Sequence, residues 1–345
     1  MNEMTKPVPA TRPEDWASDQ EVRWCPGCGD YAILKAVQRT MPELGARPET
    51  TVFISGIGCS SRFPYYMETY GFHTIHGRAP AIATGVKLAN PELDVWIVTG
   101  DGDGLSIGGN HMLHLLRRNL DCQVLLFNNE IYGLTKGQYS PTSRVGTRSP
   151  STPWGSVERP VFPCEFALGA GARFIARVID TAQKQMPDVL KRAYRHKGTS
   201  FVEIYQNCVV YNDGVFEDFT DKRNAANTQI WLEHGKPMLF ANGTKGLAVN
   251  RETLRMEVVD TSDGDLSRVT VHDETNKAIA KMLVSMRFPE FPVALGVIFC
   301  DPRPNFGEAL ERQKTEHTQG LVADLDALLR KGPSWEVRPQ DAGPA

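Results

Sequence analysis

Residues Asp94–Asn129 read DVWIVTGDGDGLSIGGNHMLHLLRRNLDCQVLLFNN, and the fold turns on them. Asp94 to Thr99 is β-branched and aromatic, the signature of a strand. Gly100-Asp101-Gly102-Asp103-Gly104 follows with no spacer. His111 to Arg118 reads as a helix, and Gln123 to Phe127 is apolar almost throughout. A strand without polar alternation is one covered on both faces. It stops at Asn128-Asn129. Strand, glycine turn, helix and second strand make a unit whose two strands run parallel.

The same pattern repeats outward. Thr51 to Ser55 (TVFIS) is a short strand closed by Gly56-Ile57-Gly58-Cys59. Upstream, Ile33, Leu34, Val37 and Met41 recur at helical spacing until Pro42. Pro80 to Ala89 makes a small-residue helix closed by Asn90-Pro91. Downstream come a strand over Gly171–Val178, a helix over Thr181–Tyr194 and a strand over Ser200–Tyr205 that ends at Asn207-Cys208. The predicted fold class is α/β: a doubly wound, mostly parallel sheet with helices on both faces. Such sheets bind ligands beyond the carboxyl ends of their strands. Residues 133–163 are rich in Gly, Ser, Thr and Pro without periodicity, which marks a functional or disordered loop.

Three regions are expected: an arm over 1–20, the α/β domain over 21–225, and a C-terminal extension over 226–345 that packs on the core or a partner. In the extension, strands are expected at Pro237–Ala241, Leu247–Asn250, Val269–Val271 and Ala294–Phe299. Helices are expected at Thr275–Val284 and Leu321–Leu329.

Composition narrows the function classes. The 345 residues carry 38 Lys plus Arg against 41 Asp plus Glu, a net charge of -3, which gives no reason to expect nucleic-acid binding. Met1 to Ala17 holds no apolar leader and no run approaches 18 apolar residues, so neither export nor a membrane span is expected. Seven cysteines are too few for a disulfide scaffold. A reducing cytoplasm is the expected compartment.

Glycines around Asp101 allow a diphosphate to approach backbone N–H groups closely. A carboxylate beside a diphosphate needs a divalent cation between them, most simply Mg²⁺. Asn129, at the exit of the neighbouring strand, can share that ion, and the Ile131 carbonyl is a third candidate. No G-x-G-x-x-G follows the first strand, so this is not a dinucleotide fingerprint.

Cys25 and Cys28 form a C-x2-C pair; Cys59 and Cys208 lie at two strand ends. Four thiolates on one rim can hold Zn²⁺ or a [4Fe-4S] cluster, and a lone C-x2-C can be a redox dithiol. Cys122, Cys164 and Cys300 sit in or near apolar runs and are expected to be buried or semi-buried thiols.

The motifs Trp24–Gly29 (WCPGCG), Gly56–Ser61 (GIGCSS), His76–Gly85 (HGRAPAIATG), Thr99–His111 (TGDGDGLSIGGNH) and Asn128–Gln138 (NNEIYGLTKGQ) together resemble the β subunits of 2-oxoacid:ferredoxin oxidoreductases, above all the 2-oxoglutarate members. The resemblance covers roughly 20–225. It implies thiamine diphosphate, Mg²⁺, one [4Fe-4S] cluster, and coenzyme A as co-substrate. On that basis Cys25, Cys28, Cys59 and Cys208 become cluster ligands, and Asp101, Asn129 and Ile131 become Mg²⁺ ligands. Gly100, Asp101, Gly102 and Asp103 would cradle the diphosphate from one side, and the loop with Ile131, Gly133, Leu134 and Thr135 from the other. Gly58, Cys59, His76 and Gly77 would complete the cofactor contacts. Asp103 is expected to bond the turn rather than to ligate the ion.

The resemblance also implies partners. An α subunit, sometimes fused to a γ domain, supplies the pyrimidine-binding domain, most simply as α2β2, and ferredoxin takes the electrons. The thiazolium serves as electron sink for decarboxylation of the 2-oxoacid. A 2-oxoglutarate distal carboxylate wants a basic residue, for which Arg62, Lys136 and Arg78 are candidates; His76 and His111 flank cofactor motifs. Three alternatives stand beside this: pyruvate or a branched-chain 2-oxoacid as substrate, a non-catalytic zinc-stabilised interaction module, and a non-redox thiamine decarboxylase half.

Overall fold

In the computed structural model, which describes residues 12–320, 322 and 324–336, the apolar runs become strands buried along their length. In chain order the strands are β1 (Thr51–Ser55), β2 (Tyr70–His73), β3 (Asp94–Gly100), β4 (Cys122–Asn128), β5 (Phe174–Ile179), β6 (Thr199–Tyr205), β7 (Gln229–Leu232), β8 (Leu239–Phe240), β9 (Lys245–Asn250), β10 (Arg255–Asp260) and β11 (Val293–Cys300). The helices are α1 (Asp30–Glu43), α2 (Ala79–Ala89), α3 (Asp101–Leu105), α4 (Gly109–Arg118), α5 (Pro163–Gly169), α6 (Met186–Arg195), α7 (Glu217–Thr220), α8 (Ala225–Thr228), α9 (Lys277–Ser285), α10 (Phe306–Thr318) and α11 (Leu325–Arg330).

Eight strands form one sheet in the order β2-β1-β3-β4-β6-β5-β11-β7. All neighbours are parallel except β5 and β11. Side chains alternate across a strand, and the alternation sorts them into two layers. Val52, Ile54, Val95, Ile97, Val124 and Leu126 pack with residues of α2, α4, α5 and α9 on one face. Phe53, Trp96, Val98, Leu125 and Phe127 pack with α1 and α6 on the other. The expected doubly wound sheet with helices on both faces is therefore the one found.

Several details differ from expectation. The Gly-Asp-Gly-Asp-Gly run is not a plain turn: Asp101–Leu105 is the short helix α3. Glycine is a poor helix former, so packing sets this conformation. A Cβ on Gly102 would lie 2.2 Å from the Tyr132 ring. β2 is an exposed edge strand of four residues, too short to show a pattern. Val269–Val271 is not a strand: Val271 makes an isolated bridge to Pro237, while the Thr270 N–H donates to the Leu247 carbonyl and the Thr270 carbonyl accepts from the Met238 N–H. β8, β9 and β10 form a small antiparallel sheet.

The region expected as an extension from 226 contributes β7 and β11 to the main sheet, where β7 pairs only with β11. The structure places its division at Gly307: one unit runs to that residue and a second begins at Glu308. The second unit carries most of α10 and all of α11. Of the helix expected over Leu321–Leu329, Leu321 and Ala323 lie outside the described residues. So do residues 1–11 of the expected arm, while Trp16 is buried and Ala17 bridges to Met67. Among the described residues no helix is long and apolar enough to cross a membrane.

Candidate active site

β1, β3, β4 and β6 are consecutive in the sheet and mutually parallel, so their carboxyl ends share one rim. The chain leaves those ends through Gly56–Cys59, the start of α3, Asn129 and Gln206–Cys208. Two cavities open there.

The first encloses about 520 Å³. Its walls include Gly58, Cys59, His76, Gly100, Asp101, Gly102, Asp103, Asn129, Ile131, Gly133, Leu134 and Thr135. Gly77 lies behind the wall, where its N–H donates to Asp103 Oδ1 at 2.7 Å. Asp103 also accepts from the Ile57 N–H at 3.1 Å and the Thr99 hydroxyl at 2.8 Å. It thereby ties together the loops after β1, before α2 and after β3. Gly77 has φ +65°, and a Cβ there would stand 2.4 Å from the Gly108 nitrogen, so only glycine suits this junction.

Asp101 is 2% exposed. It accepts from the Ser140 and Thr142 hydroxyls, each at 2.5 Å. Burial pushes its carboxyl up to about 6, against the pull of those hydrogen bonds. Behind it a buried chain continues. Thr142 Oγ1 lies 3.0 Å from Asn128 Oδ1, and Asn128 donates to Glu203 Oε1 at 2.8 Å. Glu203 Oε2 accepts from Arg177 Nε at 2.8 Å. Asn129 presents its amide differently: Nδ2 donates to Gln206 Oε1 at 2.7 Å, and Oδ1 accepts from the Ile131 N–H at 3.2 Å. A carboxylate and an amide oxygen at one wall are the donors a hard divalent cation takes.

The second cavity, about 190 Å³, is lined by Cys25, Cys28, Cys59 and Cys208 together with Trp24, Asp30 and Gln206. All four thiols are free; Cys25 is exposed and the others half-buried. Trp24 Nε1 donates to the Cys59 carbonyl at 2.7 Å, fixing that loop. Burial pushes the Cys59 thiol up to about 11, with Asp30, Cys208 and Cys25 adding to it. Cys28 moves up for the same first cause. Gly133 leaves room for the sulfurs: a Cβ there would sit 3.4 Å from Cys208 Sγ and 3.9 Å from Cys59 Sγ. Among the described residues no three His, Cys, Asp or Glu side chains converge as closely as a single metal ion requires. The four cysteines together line this one cavity. Cys59, Asn129, Gly133 and Leu134 line both cavities and so form the wall between them. A wider cleft of about 880 Å³ beyond Cys28 contains none of these wall residues.

The basic candidates lie elsewhere. Arg62 faces the cysteine cavity and donates to the Arg23 carbonyl at 2.9 Å. Lys136 is exposed and outside both walls. Arg78 turns back to the His76 carbonyl at 3.4 Å. Burial lowers the His111 pKa, and Arg78 adds to the effect. Sequence reasoning missed Ser140, Thr142, Asn128 and Gln206. Their signal was the hydroxyl cluster Ser140-Pro141-Thr142-Ser143 just after the loop that ends at Gln138, and the glutamine two residues before Cys208. Cys122 and Cys164 are buried and Cys300 is half-buried.

A mostly parallel sheet with a glycine-rich segment, an acid and an amide at its carboxyl rim fits a thiamine-diphosphate-binding fold. Residues 56–204 match the family model of the thiamine pyrophosphate enzymes' C-terminal TPP-binding domain. The 2-oxoglutarate oxidoreductase subunit KorB of Mycobacterium tuberculosis is 48% identical over 94% of this chain and 88% of that protein. The 2-oxoglutarate synthase subunit KorB of Methanocaldococcus jannaschii is 36% identical over 75% of this chain and 93% of that protein. Among solved structures, a 2-oxoglutarate:ferredoxin oxidoreductase from Magnetococcus marinus, with 2-oxoglutarate, coenzyme A and succinyl-CoA bound, superposes with a TM-score of 0.76. It is 32% identical and covers 95% of this chain and 98% of its own. The chain belongs to the 2-oxoacid:ferredoxin oxidoreductases, as a β subunit, and works as part of an enzyme complex that requires partner subunits.

Proposed function

We propose that this β subunit serves a 2-oxoglutarate:ferredoxin oxidoreductase, which converts 2-oxoglutarate and coenzyme A to succinyl-CoA and CO₂ and passes electrons through one [4Fe-4S] cluster to ferredoxin. The observation that carries the reading is the shared wall. Cys59, Asn129, Gly133 and Leu134 separate a cavity with the diphosphate and cation donors from a cavity ringed by four cysteines. Electron transfer from one bound group to another needs that adjacency. The relatives named for 2-oxoglutarate, and the similar structure that holds 2-oxoglutarate with coenzyme A, support the substrate.

When bound, thiamine diphosphate supplies the electron sink that a 2-oxoacid lacks. The chain's own residues do the rest. Asp101 and Asn129 would hold Mg²⁺, with the Ile131 carbonyl as third ligand. Ser140 and Thr142 both donate to Asp101 Oδ2, which fixes the carboxylate and would leave Oδ1 for the ion. The α3 turn and the loop from Ile131 would close on the diphosphate. Cys25, Cys28, Cys59 and Cys208 would hold the cluster. No Lys or Arg is among the residues lining the cofactor cavity. The basic group for the distal carboxylate would then come from the α subunit, which also completes the cofactor site.

The test is the complex purified without oxygen and supplied with ferredoxin and coenzyme A. About four irons and one thiamine diphosphate per β chain are expected, with turnover fastest on 2-oxoglutarate. One zinc with no thiamine diphosphate would overturn the reading. Preference for pyruvate or a branched-chain 2-oxoacid would overturn only the substrate.

A further inference from the structure

Gln206 lines the cysteine cavity and reaches Asn129 on the shared wall, with its amide fully used. Its side chain is 1% exposed. Oε1 accepts from Asn129 Nδ2 at 2.7 Å. Nε2 donates to Cys28 Sγ at 3.3 Å and to the Asn207 carbonyl at 2.6 Å. Its backbone N–H donates to the Asn128 carbonyl at 2.9 Å, which holds the residue to the end of β4. The flipped amide would set two N–H donors against each other at Asn129, so the orientation is fixed by the network.

That orientation has two effects. By accepting from Asn129 Nδ2, Gln206 leaves the Asn129 oxygen at the other end of the amide, where it accepts from the Ile131 N–H beside the cofactor cavity that both residues line. Only the oxygen end of an amide can bind a cation. By donating to Cys28 Sγ, the same side chain places a hydrogen bond on a sulfur of the cysteine ring. Such bonds stabilise the more negative, reduced form of a cluster and raise its potential.

We infer that Gln206 is a positioning residue for both centres: it sets Asn129 oxygen-inward for Mg²⁺-thiamine diphosphate, and it tunes the iron–sulfur centre through Cys28. The inference rests on the reading of the four cysteines as cluster ligands. It predicts that two substitutions separate the two effects. Gln206→Met removes both bonds. Gln206→Glu keeps an acceptor for Asn129 and loses the amide N–H that faces Cys28.

The experiment uses the whole complex, purified without oxygen, with iron counted, the cluster potential read by EPR-monitored redox titration, and Mg²⁺-thiamine diphosphate affinity read by calorimetry. Gln206→Met should weaken cofactor binding about tenfold and lower the potential; tenfold in the reduction equilibrium is about 59 mV for one electron. Gln206→Glu should lower the potential while cofactor affinity stays near that of the parent. An unchanged potential in Gln206→Glu overturns the inference even if Gln206→Met fails to assemble. So does a Gln206→Met complex that binds cofactor as the parent does. A parent complex without a cluster overturns the underlying reading, and the inference with it.

Discussion

Asp101 is held in a state the cofactor-free chain would be better without, and its removal should show this. Burial lifts its carboxyl from the ordinary 3.8 to about 6. That displacement corresponds to about 3 kcal/mol. The sign follows from proton linkage. Because the folded chain holds the proton more tightly than the unfolded one, stability falls as pH rises from 3.8 to about 6. Above that range the full penalty is present. Asp101→Asn keeps the shape and leaves an oxygen for the Ser140 and Thr142 hydroxyls, but carries no charge to bury. The complex dialysed against a chelator should therefore melt higher as the variant at pH 7. At about 2 °C per kcal/mol for a chain this long, the gain is roughly 6 °C. The gap should close toward pH 4. Adding Mg²⁺ and thiamine diphosphate should reverse the order, since on the proposed reading Asp101 is the charged ligand of the ion and the variant would bind the pair weakly. Ligand at a hundred to a thousand times Kd adds about 2.7–4.1 kcal/mol, the same order as the burial penalty, so the parent should overtake the variant once ligand is in large excess over Kd. A variant that melts at or below the parent without cofactor, or a gap independent of pH, would refute the argument.

Two further outcomes follow from the same geometry. Gly133→Val places methyl groups against Cys208 Sγ and Cys59 Sγ, so iron per chain should drop sharply while circular dichroism stays unchanged; Gly133→Ala, in ordinary contact at 3.4 Å, should keep most of its iron. Full iron in the valine variant would count against the cluster cavity. Glu203→Gln leaves the Arg177 guanidinium, 7% exposed, without its buried counter-ion, at a loss of about 3–5 kcal/mol read as a lower urea midpoint. A shift below about 1 kcal/mol would show that water reaches the pair.

Much of this was legible in the sequence because backbone geometry made it so. β3 and β4 are apolar without alternation, which only a doubly covered strand needs. Asp101 and Asn129 end neighbouring parallel strands, so strand order alone brings them to one rim. What stayed hidden depends on the third dimension. α3 is helical through packing on Tyr132 and the bonds of Asp103, against the propensity of its glycines. β2 and β7 have four residues each, too few for a period to show. Ser140 and Thr142 reach Asp101 across some 40 positions of chain, and Gln206 reaches Cys28 across 178. Local pattern cannot register such partners.

The bonds to Asp103 bear on how the protein is handled in a cell. One carboxylate gathers Ile57, Gly77 and Thr99, which belong to three separate segments. The mouth of the cofactor cavity can thus take shape only after β1 and β3 have paired in register. A copy that slipped by a residue would have no binding site, and ligand could not rescue it. A bound cofactor would then stabilise only correctly registered chains and leave slipped ones open to proteolysis.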